Sequence, residues 1–154
     1  MTFTTPEQST PEPSPSEFIS SKTQSIQYAR STIARADRAL RCTPFKLALF
    51  MTMRQRSVEL KAIAGITGAR NGYTDRPVAE LAAESDLVWL IQVGLLRREV
   101  DGQGLTDSFR ITPLGQQMLE RWQIRGDARS TPSLSDRLYN ALSRWARLPS
   151  WMQF

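Results

Sequence analysis

After Gly94 the apolar period of the chain changes. Upstream, apolar residues recur at spacings of three and four, as a helix burying one face requires. From Leu96 they alternate: Leu96, Arg98 and Val100 against Arg97 and Glu99, then Phe109 and Ile111 against Ser108 and Arg110, with the turn Asp101-Gly-Gln-Gly104 between the two runs. A period of two does not fit a helix, so this stretch is a β-hairpin. The flanking segments keep helical spacing, and the expected fold class is therefore mostly α with a single hairpin.

Upstream, residues 18–42 place Ile26, Ala29, Ile33, Ala36 and Leu40 on one narrow stripe of a helix. Arg30, Arg35, Arg38 and Arg41 fan across the adjoining face, with Asp37 near the boundary. Thr43-Pro44 pairs an N-cap residue with proline at the first helical position, which opens a second helix through Phe45, Leu47, Leu49, Phe50 and Met53. Ser57 caps a short helix over 58–65 that turns Val58, Leu60, Ile63 and Ala64 inward. Gly65, Gly68, Asn71 and Gly72 then mark a loop. Asp75-Arg76-Pro77 opens the next helix, which runs to Val93 as one helix or as two broken near Ser85-Asp86. Beyond the hairpin, Thr112-Pro113 repeats the cap-and-proline signal. Gly115, in the first turn of that helix, implies close packing of helix on hairpin.

The ends read differently. Residues 1–17 hold Pro6, Pro11, Pro13 and Pro15 among Ser, Thr and Glu, a composition too poor in apolar surface to offset its ordering entropy, so a disordered tail is expected. Residues 127–131 are a linker. The last helix carries Leu134, Leu138, Ala141, Leu142, Trp145 and Leu148 on one stripe, with Arg137 and Arg144 near its edge and Pro149 ending it. The chain thus divides into a tail (1–17), a basic amphipathic helix (18–42), a central domain (43–126), and a linker with a final helix (127–154).

Composition removes whole classes of chemistry. The 154 residues contain no histidine and one cysteine, Cys42, so His/Cys zinc sites and Ser-His or Cys-His nucleophile pairs are absent. Glu84 and Asp86 fall on different faces of their helix and make a poor acid/base pair. Gly65, Gly68 and Gly72 lack the Lys-Ser/Thr of a phosphate loop. No enzymatic activity, metal or cofactor is expected, and Cys42 is better read as an inert thiol than an activated one. The amino terminus has no apolar signal segment, which suggests the cytoplasm.

The net charge of +5 is unevenly spread: residues 18–56 carry +7, whereas 57–126 carry −1. Of 20 basic residues only Lys22, Lys46 and Lys61 are lysine. The others are arginines, whose planar fork suits phosphate, carboxylate and aromatic faces.

Three features in order, Val58-Glu-Leu-Lys-Ala-Ile-Ala64, Gly94-Leu95-Leu96-Arg97-Arg98-Glu99, and Ile111-Thr-Pro-Leu-Gly115 after a hairpin, resemble a winged helix-turn-helix of the MarR and ArsR regulator type over about residues 45–125. As a whole, the chain also resembles an uncharacterised family of small cyanobacterial proteins. The first resemblance implies a recognition helix beginning near Arg76, a hairpin wing, and a dimer formed through helices outside the wing. If duplex DNA is the partner, contacts fall to Arg70, Asn71, Tyr73, Thr74 and Arg76, with Arg98 and Arg110 on the wing and Arg30, Arg35, Arg38 and Arg41 tracking phosphates.

The same sequence departs from that pattern where function resides. The solvent-facing candidates after Arg76 are Glu80, Ala83, Glu84 and Asp86, and the wing tip carries Asp101 and Asp107, all unfavourable against a phosphate backbone. Two readings therefore stand. One is a small nucleic-acid-binding regulator. The other is an adaptor holding a protein complex, with Leu138, Leu142, Trp145, Leu148 and Trp151 as the partner-binding face and a membrane surface as a further occupant. Self-association is expected of either, through the Ile26 to Leu40 stripe pairing with itself or docking on the last helix.

Overall fold

The computed structural model describes residues 26–124 and 133–145. The expected tail, the linker, and the outer part of the last helix with Leu148 and Trp151 lie outside the described residues. Among those described, the elements are α1 (Arg30–Cys42), α2 (Leu47–Gln55), β1 (Val58–Glu59), α3 (Leu60–Ile63), α4 (Gly65–Arg70), α5 (Glu80–Gln92), β2 (Leu96–Asp101), β3 (Gly104–Ile111), α6 (Pro113–Ile124) and α7 (Leu134–Trp145). The fold is mostly α around a small antiparallel sheet of order β1-β3-β2.

The hairpin forms where the period of two predicts it. Asp101 pairs with Gly104 across the two-residue turn, and the Asp101 carboxylate accepts the Gln103 backbone N–H at 2.8 Å. A register shift falls between Arg98 and Val100; Leu96 is buried, whereas Val100 and its partner Leu105, next to the turn, stand in solvent. The turn from α5 into β2 falls at Gly94, whose φ of +86° is the left-handed conformation that favours glycine.

Thr112 starts α6 as expected. Its Oγ1 accepts the Gly115 N–H at 3.1 Å and lies 2.6 Å from the Gly94 carbonyl, tying the cap to the end of α5. Leu114, Met118 and Leu119 then face the core, and Trp122 meets Phe50 edge-on at 6.3 Å between ring centres. Gly115 sits against the Leu95 carbonyl and the Ile111 side chain, the close approach its position implies.

Tertiary pairing overrides four local expectations. Thr43-Pro44 does not open α2: Phe45 bridges Thr74, and the Lys46 N–H donates to the Tyr73 carbonyl at 2.7 Å, which keeps this segment extended until Leu47. Val58 and Glu59 are a strand and not a helix start, because they pair with Phe109 and Ser108 as a third strand. Gly65 to Arg70 is a helix where a loop was expected, and Gly68 packs so tightly on the Ile63 carbonyl that no Cβ would fit. Finally, α5 begins at Glu80 and runs unbroken, since the Val78 carbonyl accepts the Gly65 N–H at 2.7 Å and holds 74–79 out of helix.

One core unites these elements. Phe45, Leu49, Phe50, Met53, Ile63, Leu87, Leu90, Leu95, Leu96, Phe109 and Met118 are essentially inaccessible, and burial of each large side chain contributes about 2 kcal/mol. Helix α1 belongs to that core through Ala36, Ala39 and Leu40. The stripe predicted over residues 18–42 is accordingly shorter on the helix. Ile26 and Ala29 precede α1, Ile26 is exposed, and the inward part of the stripe is covered by its own chain.

Candidate interaction surface

Helix α7 opens with a reciprocal cap. The Asp136 backbone N–H donates to Ser133 Oγ at 3.1 Å, while the Asp136 carboxylate accepts the Ser133 hydroxyl at 3.1 Å and its backbone N–H at 3.3 Å. That carboxylate also accepts Arg41 Nη1 at 2.9 Å and lies 4.0 Å from Arg38 Nε, and the Arg38 guanidinium rests over the Tyr139 ring, 4.3 Å from its centre. One turn further along, Asn140 Oδ1 accepts the indole N–H of the buried Trp89 at 3.0 Å. Near the end, Arg144 donates to Asp86 at 2.7 Å and to Ser85 Oγ at 2.8 Å. Helix α7 is thus fastened to α1 and α5 by polar groups along its whole length.

Burial raises the cost of ionising Asp136, but the Ser133 hydrogen bonds and the charges of Arg41 and Arg38 outweigh it and hold the carboxyl below its ordinary range. At the neighbouring Cys42, burial pushes the thiol up; Asp136 adds to the shift, and Arg41, Arg137 and Arg38 oppose it. A thiol raised in this way is a poor nucleophile, in keeping with an inert role.

Because α7 docks by its polar side, its apolar side faces outward. None of its residues is buried, and Leu134, Leu138, Leu142 and Trp145 are 85%, 64%, 52% and 54% exposed. The stripe read from the sequence is real, but it points into solvent. Beside it, between α5 and α7, runs an open groove of about 690 Å³ lined by Leu81, Glu84, Ser85, Val88, Trp89, Gln92, Ala141, Arg144 and Trp145.

The residues expected to meet DNA differ in what they are free to do. Arg70 and Arg76 are exposed, but Tyr73 and Thr74 are buried and the Asn71 amide donates to the Ala62 carbonyl at 2.9 Å, which commits these three to holding the chain between α4 and α5. On the hairpin, Arg98 bonds Glu84 at 3.0 Å and Asp107 at 3.3 Å and lies over the Phe109 ring, while Arg110 lies 3.8 Å from Glu99. On α1, Arg30 is exposed, Arg35 is half-buried, and Arg38 and Arg41 are engaged by α7. Ser133, Asp136, Asn140 and Asp86 were not anticipated as partners of α7's docking. Ser-x-x-Asp over 133–136 was the available signal for the cap, but nothing local announces that Asp136 meets Arg41, 95 residues away.

Among the described residues, no group of three or more His, Cys, Asp or Glu could hold a metal ion, and no helix is long and apolar enough to cross a membrane. A family model described as Npun_F0494-like matches residues 26–144, which is most of the chain and bears out the whole-chain resemblance. No curated protein and no solved structure matches it.

Proposed function

The chain belongs to the Npun_F0494-like family, and we propose that its fold is a winged helix turned to protein recognition: a non-enzymatic adaptor whose docking face is the outer side of α7 with the adjoining groove on α5. The element order α2-β1-α3-α4-α5-β2-β3 and the sheet order β1-β3-β2 support the winged-helix reading. In that reading α5 is the recognition helix. It offers Glu80, Leu81, Ala82 and Ser85 to solvent where a DNA reader needs donors, and α7 covers part of its flank.

The observation that carries the adaptor reading is the orientation of α7. A soluble domain scatters single apolar side chains over its surface, but a contiguous row of four, rimmed by polar groups, marks a contact surface. Trp and Leu on a helix already fixed in place supply contact area at little ordering cost.

The test is site-specific photocrosslinking in the native cell, with the reactive side chain at Leu142 and, separately, at Arg70, Arg76 and Lys61. Protein adducts from position 142 and no nucleic-acid adducts from the other three are expected. Nucleic-acid adducts at positions 70 and 76 with no adduct to another kind of protein at 142 would overturn the adaptor reading in favour of a DNA-binding regulator.

A further inference from the structure

The outward face of α7 has the features of a surface that meets its own copy, and we infer that the chain pairs across a two-fold axis through this face. The inference rests on the adaptor reading of the same surface and names its occupant. A two-fold interface must be self-complementary, so one patch has to hold both what projects and what receives it. Here Leu138 and Leu142 project from α7, and the groove lined by Leu81, Val88, Trp89, Ala141 and Trp145 lies directly beside them.

Charge separates this occupant from a lipid or nucleic-acid surface. The chain as a whole is at +5, yet among the described residues the patch is close to neutral: Arg144 is paired with Asp86 and Glu84 with Arg98, which leaves Arg137 as the exposed cation within α7 that makes no ion pair among the described residues. A neutral face does not repel its own copy. An anionic lipid surface or a nucleic acid would instead draw on a rim of free cations, and each further cation contributes about 1 kcal/mol at a membrane.

Area agrees. Complete covering of Leu81, Leu134, Leu138, Leu142 and Trp145 would remove at most on the order of 700 Å² per chain from water, the larger part of the roughly 800 Å² a side in an interface of standard size. The pinning of α7 by Asp136, Asn140 and Arg144 means that little ordering remains to be done on association.

Light scattering coupled to size exclusion, on the full chain at about 50 μM, tests this. The expected mass is twice the single-chain 17.4 kDa, unchanged between low and high salt because apolar contact holds the pair. Replacing Leu138 and Leu142 together by Asp should return the single-chain mass with the thermal transition retained, since both side chains already face solvent.

A single-chain mass for the unmodified protein up to about 200 μM, or a pair that survives the double substitution, overturns the inference. A single chain that sediments with vesicles of anionic or zwitterionic lipid also overturns it, in favour of a membrane. Failure here and failure of the adaptor reading stay distinguishable. A single-chain protein that crosslinks another protein from position 142 keeps the adaptor and loses the pair. A paired protein with nucleic-acid adducts at positions 70 and 76 keeps the pair and loses the adaptor.

Discussion

Replacing Gly115 by Ala should destabilise the fold, although the same change in an open helix would stabilise it by roughly 1 kcal/mol. The reason is the contact between α6 and the start of β2. A Cβ at position 115 would strike the Leu95 carbonyl oxygen and come within 2.5 Å of Ile111 Cγ1. Ile111 is buried and paired with Leu96, so its side chain has little room to retreat. Nor can the Leu95 carbonyl swing away freely, because it accepts the Thr112 backbone N–H at 3.0 Å and lies 3.1 Å from the Thr112 hydroxyl. Overpacking of this kind costs about 1–3 kcal/mol, and weakening the two Thr112 interactions adds about 1 kcal/mol for each one lost. Against the helix-propensity gain of about 1 kcal/mol, the net loss with both interactions gone is about 2–4 kcal/mol. For a domain of this size that corresponds to a fall in Tm of roughly 10–30 °C. Thermal unfolding followed by circular dichroism reads it. Gly102→Ala serves as the control, since a Cβ there meets nothing within 4 Å, and its Tm should stay close to that of the parent. A Gly115→Ala protein as stable as the parent, or more so, would refute the packing argument.

Two further outcomes concern the fastening of α7. Asn140→Ala leaves the buried Trp89 indole N–H without its acceptor and should cost about 1–3 kcal/mol, whereas Asn140→Asp keeps an acceptor and should recover much of the loss; thermal melts of both variants check this. The lowered pKa of Asp136 gives a pH dependence of known sign. Its contribution to docking is fully present above the ordinary carboxyl value of about 4 and is lost as pH falls through its own lower pKa. Tryptophan fluorescence should therefore report a change at Trp89 below about pH 4, before the far-ultraviolet signal of the core is lost, and Asp136→Asn should abolish that step.

The parts of this fold that were legible in the sequence are those whose signal is local. The alternation over 96–111 places the hairpin, Thr112-Pro113 places the start of α6, and Gly115 announces a close contact that the structure contains. What stayed hidden depends on partners far along the chain. A two-residue strand such as Val58–Glu59 has no period to read, and only its pairing with Phe109 and Ser108 makes it a strand. Thr43-Pro44 and Asp75-Arg76-Pro77 carry sound helix-start chemistry, yet the Phe45–Thr74 and Gly65–Val78 bridges hold both segments extended.

The candidate surface shows the same division. The stripe Leu134, Leu138, Leu142 and Trp145 was visible at helical spacing, but periodicity says only that a helix has two faces. Which face docks is decided by Asp136 meeting Arg38 and Arg41, by Asn140 meeting Trp89, and by Arg144 meeting Asp86. Those contacts also account for Arg38 and Arg41 of α1, which on sequence alone suited a phosphate backbone.

Titration of the full chain with generic duplex DNA across a range of salt is the most direct test of whether those arginines serve the fold or a nucleic acid. With Arg38, Arg41, Arg98 and Arg110 held by carboxylates of the same chain, no salt-dependent binding is expected down to about 0.1 M salt. Binding whose logarithm falls linearly with the logarithm of salt, with a slope that drops by about two when Arg35 and Arg38 are changed together, would show that the basic face tracks phosphates and would contradict the protein-binding reading.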